Sequence, residues 1–164
     1  MAFKHPTIPT RVFQFHVHKT PEDYYQDPFI LYRSDTPKED RIGELAGEFQ
    51  ATVRQGTFGE DKARAEIAWQ RTRKYTSDEA GSTEIVSWTP QGLWEMDLSL
   101  CIVDLSDLEY EGVDTPKFVG TGSSRHAEDR QKLLAFLRAL PSQWITALHD
   151  AVLEVNPKWD PKRG

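Results

Sequence analysis

His16 and His18 stand one residue apart, and Glu22 follows four residues after the second. On an extended strand, side chains at i and i+2 share a face about 7 Å apart. Two imidazoles and a carboxylate at that spacing could share a divalent metal ion, so His16, His18 and Glu22 form one candidate metal site. The competing reading of the same residues is two histidines on the solvated face of an edge strand. Nucleophilic chemistry needs a base and an orienting group beside the nucleophile. The lone Cys101 lies in the apolar run 98–103, where burial would raise its pKa and leave it inert. No nucleophile-elbow sequence surrounds any serine. Gly120-Thr121-Gly122-Ser123-Ser124, followed by Arg125 and His126, could offer backbone amides to an anion at a helix N-terminus. It lacks the lysine of a phosphate-binding loop, and the dinucleotide spacing fails at Arg125, so it also reads as a plain helix-entry loop. No catalytic residue and no cofactor is expected, and non-enzymatic function is favoured over an enzyme.

Charge is segregated. The 164 residues carry 20 Lys and Arg against 26 Asp and Glu, a net −6. From Glu95 to Asp114 there are seven acidic residues and no basic one; from Lys62 to Lys74 there are five basic residues and one acidic. Such blocks permit head-to-tail self-association or steering of a charged protein partner, through Arg71, Arg73 and Lys74 on one side and Asp104, Asp107, Glu109 and Glu111 on the other. Alternatively they neutralise each other within the fold. A further alternative is an acidic inhibitor that mimics nucleic-acid phosphates with the 95–114 segment. Trp144 and Trp159 are candidate partner anchors, because Trp dominates interface hot spots. The acidic balance disfavours nucleic acid as a partner. No apolar stretch approaches the roughly 20 residues of a membrane helix, and the first residues lack a secretory h-region. A single thiol suits a reducing compartment, so a cytoplasmic location is expected, or the virion if the chain is of phage origin.

Positioning these residues requires an α+β domain over 11–156, preceded by an extended arm at 1–10 and followed by a tail at 157–164. Phe13, Phe15 and Val17 alternate with Gln14, His16 and His18, which predicts a strand over 11–18. A second strand is expected over 28–33. Thr36-Pro37-Lys38-Glu39 resembles a capping box, and Ile42, Leu45, Ala46, Phe49 and Val53 make one helical stripe, predicting a helix over 37–55. A second helix is expected over 60–75 and a strand over 83–88. Alternation through Trp94, Met96, Leu98, Leu100 and Ile102 predicts a strand over 93–103, although a helix starting at Thr89-Pro90 also fits. Residues 104–124 read as irregular. Helices are expected over 125–140 and 142–155, separated at Pro141. Together these give a small antiparallel sheet packed with about four helices.

Two resemblances follow from particular residues. His16-x-His18-x3-Glu22 resembles the first motif of cupin metal sites, but Thr10 and Phe29 stand where that motif has glycines. The run Leu140-Pro141-Ser142-Gln143-Trp144-Ile145-Thr146-Ala147-Leu148, with Ala151-Val152-Leu153-Glu154-Val155-Asn156-Pro157, resembles the C-terminal part of the tail assembly chaperones of long-tailed bacteriophages. That resemblance implies a small, acidic, cytoplasmic, non-enzymatic protein that holds tail components before assembly. It also implies a helix at 93–103.

Overall fold

The computed structural model describes residues 9–21, 28–66, 90–106, 108 and 127–160. In chain order its elements are β1 (Thr10–Lys19), β2 (Phe29–Arg33), β3 (Glu44–Arg54), α1 (58–66), α2 (Pro90–Cys101), β4 (Ile102–Ser106), α3 (Ala127–Ala139) and α4 (Ser142–Val155). Short 3-10 turns follow β2 at Lys38–Asp40 and α4 at Pro157–Trp159. The strands form one antiparallel sheet in the order β2-β1-β3-β4. This is an α+β fold.

Alternation decides which face is buried. Phe13 and Phe15 of β1, Leu31 of β2, and Phe49, Ala51 and Val53 of β3 enter the core. Leu98, Leu133, Phe136, Leu137, Leu148 and Val152 meet them from the helices. Phe15 lies directly opposite Phe49 in register and the rings stack at 5.3 Å; Phe49 also stacks with Trp144 of α4 at 6.2 Å. Such cross-strand aromatic pairs stabilise a sheet beyond the area they bury. Arg11 and Arg33 lie over the ring of Phe13 and both bind Glu154 of α4, tying the sheet to that helix. Burial pushes the Glu154 carboxyl up, but the bonds and charges of Arg33 and Arg11 outweigh it and leave it below its ordinary 4.5.

Three sequence expectations need correction. The helix expected over 37–55 is a 3-10 turn followed by strand β3. Gly47, Phe49, Ala51 and Val53 alternate with Glu48, Gln50 and Thr52, a period of two partly hidden because glycine and alanine carry little apolar weight. Gly43 settles the choice: its φ is 82°, outside any right-handed helix. The strand expected over 93–103 is helix α2 up to Cys101, as the rival reading had it. Residues 97–101 are all buried, so every face of the helix is enclosed there and the alternation of Leu98, Leu100 and Ile102 does not mark a strand. Finally, 104–106 is not irregular but belongs to β4, paired with β3. The strands expected at 11–18 and 28–33 are β1 and β2, and the helices at 125–140 and 142–155 are α3 and α4. The helix expected at 60–75 is present from 58 to 66; its remainder and the 83–88 strand lie outside the described residues.

Gly43 also carries a prediction. A Cβ there would lie 2.0 Å from the Lys19 carbonyl oxygen, a backbone atom that cannot swing away. Gly43→Ala is expected to cost at least about 1–2 kcal/mol from the left-handed φ alone. A lowered urea midpoint with an unchanged slope checks this, and an unchanged midpoint contradicts it.

Candidate functional site

Two clusters of polar side chains are built into the described residues, one on the outer face of the sheet and one in the core. On the outer face, the strand alternation that sends Phe15 and Val17 inward sends His16 and His18 outward together. The loop between β2 and β3 folds Arg41 onto them. Arg41 Nη1 approaches His16 Nδ1 at 2.8 Å and His18 Nε2 at 3.5 Å. Its other donors reach the carbonyls of Thr36 (2.9 Å), Ser34 (2.8 Å) and Arg33 (3.3 Å). A guanidinium has five N–H donors, and here each has an acceptor.

This geometry assigns the ring protons. The nitrogens facing Arg41 must offer lone pairs, so His16 carries its proton on Nε2, 3.6 Å from Glu48 Oε1. His18 carries its proton on Nδ1, 3.3 Å from the Gly43 carbonyl. Long-range proton–nitrogen spectra of the imidazoles are expected to show those opposite tautomers, unchanged on adding zinc; the reverse assignment contradicts the arrangement. A divalent cation between the rings would have to displace a guanidinium. Glu22, the third expected ligand, lies outside the described residues. Among the described residues no group of three metal-ligating side chains converges.

The core cluster centres on Asp97, which is fully buried. Helix α2 is enclosed on all sides from Asp97 to Cys101, so its polar side chains must find partners inside the protein. Arg64 of α1 grips Asp97 with two bonds, Nε to Oδ1 at 2.8 Å and Nη2 to Oδ2 at 3.1 Å. His149 of α4 donates from Nε2 to Oδ2 at 2.8 Å, because a carboxylate can only accept. Trp94 stacks on His149 at 4.9 Å, and the Arg64 guanidinium lies 5.1 Å over the ring of Trp159. Ser99 accepts from Arg130 Nε of α3 at 3.0 Å. Through these bonds α2 is tied to α1, α3 and α4.

A second buried pair lies nearby. Arg54 Nη2 donates to Glu60 at 2.6 Å, and both side chains are at most 5% exposed. Thr57 and Glu60 form a reciprocal capping box that starts α1 (2.9 and 3.2 Å). Burial pushes the Glu60 carboxyl up, yet the bond and charge of Arg54 and the bonds from Thr57 leave it below its ordinary 4.5. Asn156 knits the chain end to β3, accepting from Gly56 N at 2.7 Å and donating to Arg54 O at 3.3 Å. Cys101, as expected, is inert: burial pushes its thiol up to about 12.

The remaining candidate residues are placed as follows. Trp144 and Trp159, expected as partner anchors, are only 4% and 5% exposed and belong to the core. Their indole N–H groups serve Phe29 O and the Asp61 carboxylate. This corrects the anchor reading; the apolar area of a Trp between a sheet and a helix is worth more inside than out. Asp104 is exposed on β4, with the Ser106 hydroxyl on its carboxylate. Arg71, Arg73, Lys74, Asp107, Glu109 and Glu111 lie outside the described residues. Arg64 and Asp97 come from the two charge blocks and meet inside the fold, so at this point the blocks neutralise each other.

The local sequence around Asp97, Arg64, His149 and Arg54 did not mark them as partners. The only available signal was an aspartate set against the apolar run 98–103. A depression of about 360 Å³ opens beside Trp94, lined also by Leu98, Leu137, Leu140 and Ile145. The exposed Glu95–Arg138 pair (2.7 and 2.9 Å) closes its rim, and the Arg138 bond holds the Glu95 carboxyl below its ordinary value. Chemically, the interior carboxylate and imidazole resemble the orienting half of an acid–base dyad. Both are buried, however, and both Asp97 oxygens are already taken.

The fold and its two clusters define the chain as an α+β protein whose described interior holds hydrogen-bonded ion pairs, Arg64–Asp97 and Arg54–Glu60. Comparison with protein-family models, curated proteins and solved structures finds no match to it. No helix among the described residues is long and apolar enough to cross a membrane.

Proposed function

We propose that this chain is a non-enzymatic binding or assembly protein working through protein–protein contacts. Its place would be phage morphogenesis, as a tail assembly or virion protein, acting in the cytoplasm. One observation carries the reading: the distribution of reactive and apolar groups among the described residues. Asp97, His149 and Cys101, the side chains best suited to chemistry, are at most 4% exposed and engaged by neighbours inside the core. By contrast Phe58, at the start of α1, is 85% exposed, and Val12 and Leu45 are more than half exposed. An aromatic ring left in water beside a charged helix is the kind of group a protein partner buries. The helix–Pro–helix grammar of 127–157, shared with phage tail assembly chaperones, supports the finer assignment.

The test is a comparison of Phe58→Ser with the wild type. The variant is expected to keep the wild-type melting temperature and to lose most of the association measured for the wild type. Equal association of the two proteins removes the basis for this contact.

A further inference from the structure

An antiparallel edge strand exposes alternate N–H and C=O groups that template pairing with another chain, and proteins blunt such edges with charge, proline or cover. Strand β2 is an edge of the four-stranded sheet, and its sequence, Phe29-Ile30-Leu31-Tyr32-Arg33, holds no proline, no acid and one terminal arginine. Its composition, β-branched and aromatic with little charge, is of the kind that pairs readily with copies of itself.

The cover comes from the first turn of α4. Leu31 N donates to Gln143 Oε1 at 2.8 Å, and Gln143 Nε2 donates to Leu31 O at 2.7 Å. Trp144 Nε1 donates to Phe29 O at 3.1 Å. A primary carboxamide presents one C=O and one N–H side by side, as a peptide group does, so Gln143 lies on Leu31 as a residue of a neighbouring strand would. Further along, the Arg33 carbonyl is taken by Thr36 N at 3.0 Å and by Arg41 Nη2 at 3.3 Å. Both outward groups of Leu31 and the carbonyls on either side of it are therefore satisfied within the chain.

We infer that Gln143 is an edge guard, occupying the backbone of Leu31 and so preventing β2 from pairing with the β2 of a second copy. The second copy is the natural occupant because two identical edges can pair antiparallel about a twofold axis, with residue i of one meeting residue j of the other and j meeting i. The inference does not depend on the proposed function, since association through Phe58 would leave β2 covered.

The experiment compares wild type, Gln143→Ala and Gln143→Glu by sedimentation over a range of concentrations, with hydrogen exchange read at the Leu31 amide. Gln143→Ala is expected to self-associate at least about tenfold more tightly than wild type. Its Leu31 amide should exchange faster in dilute solution and regain protection in the associated form. Gln143→Glu keeps the acceptor for Leu31 N but sets an anion against Leu31 O, and should fall between the other two. If both variants show the wild-type mass at every concentration, Gln143 is only a tether between helix and strand and the inference is wrong. If neither variant folds, the contact is one required for folding rather than a guard, and the inference is equally wrong.

Discussion

Replacing Asp97 by alanine is expected to destabilise the protein by about 3–5 kcal/mol, the usual cost of removing one partner from a buried ion pair. The substitution strips both hydrogen bonds from Arg64 and the single bond from His149, leaving a guanidinium and an imidazole facing a cavity. Asp97→Asn keeps the shape but not the charge, and it presents an amide group where an acceptor is needed. It should recover only part of the loss. Replacing the set together, Arg64→Met, Asp97→Leu and His149→Phe, should be far milder than Asp97→Ala, because no charge is then left unpaired. Chemical denaturation of the four proteins checks the ordering. A triple variant as unstable as Asp97→Ala would show that the cluster does more than satisfy itself.

Glu60→Ala is expected to be comparably damaging, again about 3–5 kcal/mol. It removes the partner of Arg54, which is 2% exposed and whose Nε already lacks an acceptor. It also removes half of the capping box that starts α1. The same carboxylate gives a pH dependence with a definite sign. Its folded pKa lies below 4.5, so its contribution is complete above that value and is lost as the pH falls through the folded pKa. Glu154, held low by Arg33 and Arg11, acts in the same direction. Stability should therefore fall below about pH 4.5 in the wild type. In a Glu60→Gln background, already weaker at neutral pH, the fall over that interval should be shallower. Parallel pH profiles for the two proteins would contradict the assignment.

What could be read from the sequence depended on whether one periodicity dominated. Helix α4 matches its expected bounds because Leu148 and Val152 enter the core while Asp150 stays outside. Strand β1 was legible because Phe13 and Phe15 alternate cleanly with Gln14 and His16. β3 was not, because Leu45, Ala46, Phe49 and Val53 fit a helical stripe, and only the backbone of Gly43 and pairing on both sides exclude it. α2 was ambiguous because its residues 97–101 are buried on every side, so the same apolar positions fit a strand's alternation and a helix.

The interior ion pairs were hidden for a different reason. Arg64 lies 33 residues before Asp97 and His149 lies 52 after it, so no local spacing signals their meeting. The His16–His18 pair was visible from strand alternation, whereas Arg41, which lies between the rings, arrives from a loop 25 residues further on. The strand mimicry of Gln143 likewise joins residues 112 apart. A side chain that mimics a strand leaves no signature in the segment that carries it.

Native mass spectrometry of the protein purified from its source cells tests the central claim most directly, since one spectrum reports subunit number, bound metal and co-purifying chains. A function exercised through protein contacts predicts masses containing a second protein chain or further copies of this one, with no stoichiometric metal. A bare monomer, or a monomer carrying a metal ion that a His16→Ala, His18→Ala variant loses, would contradict it.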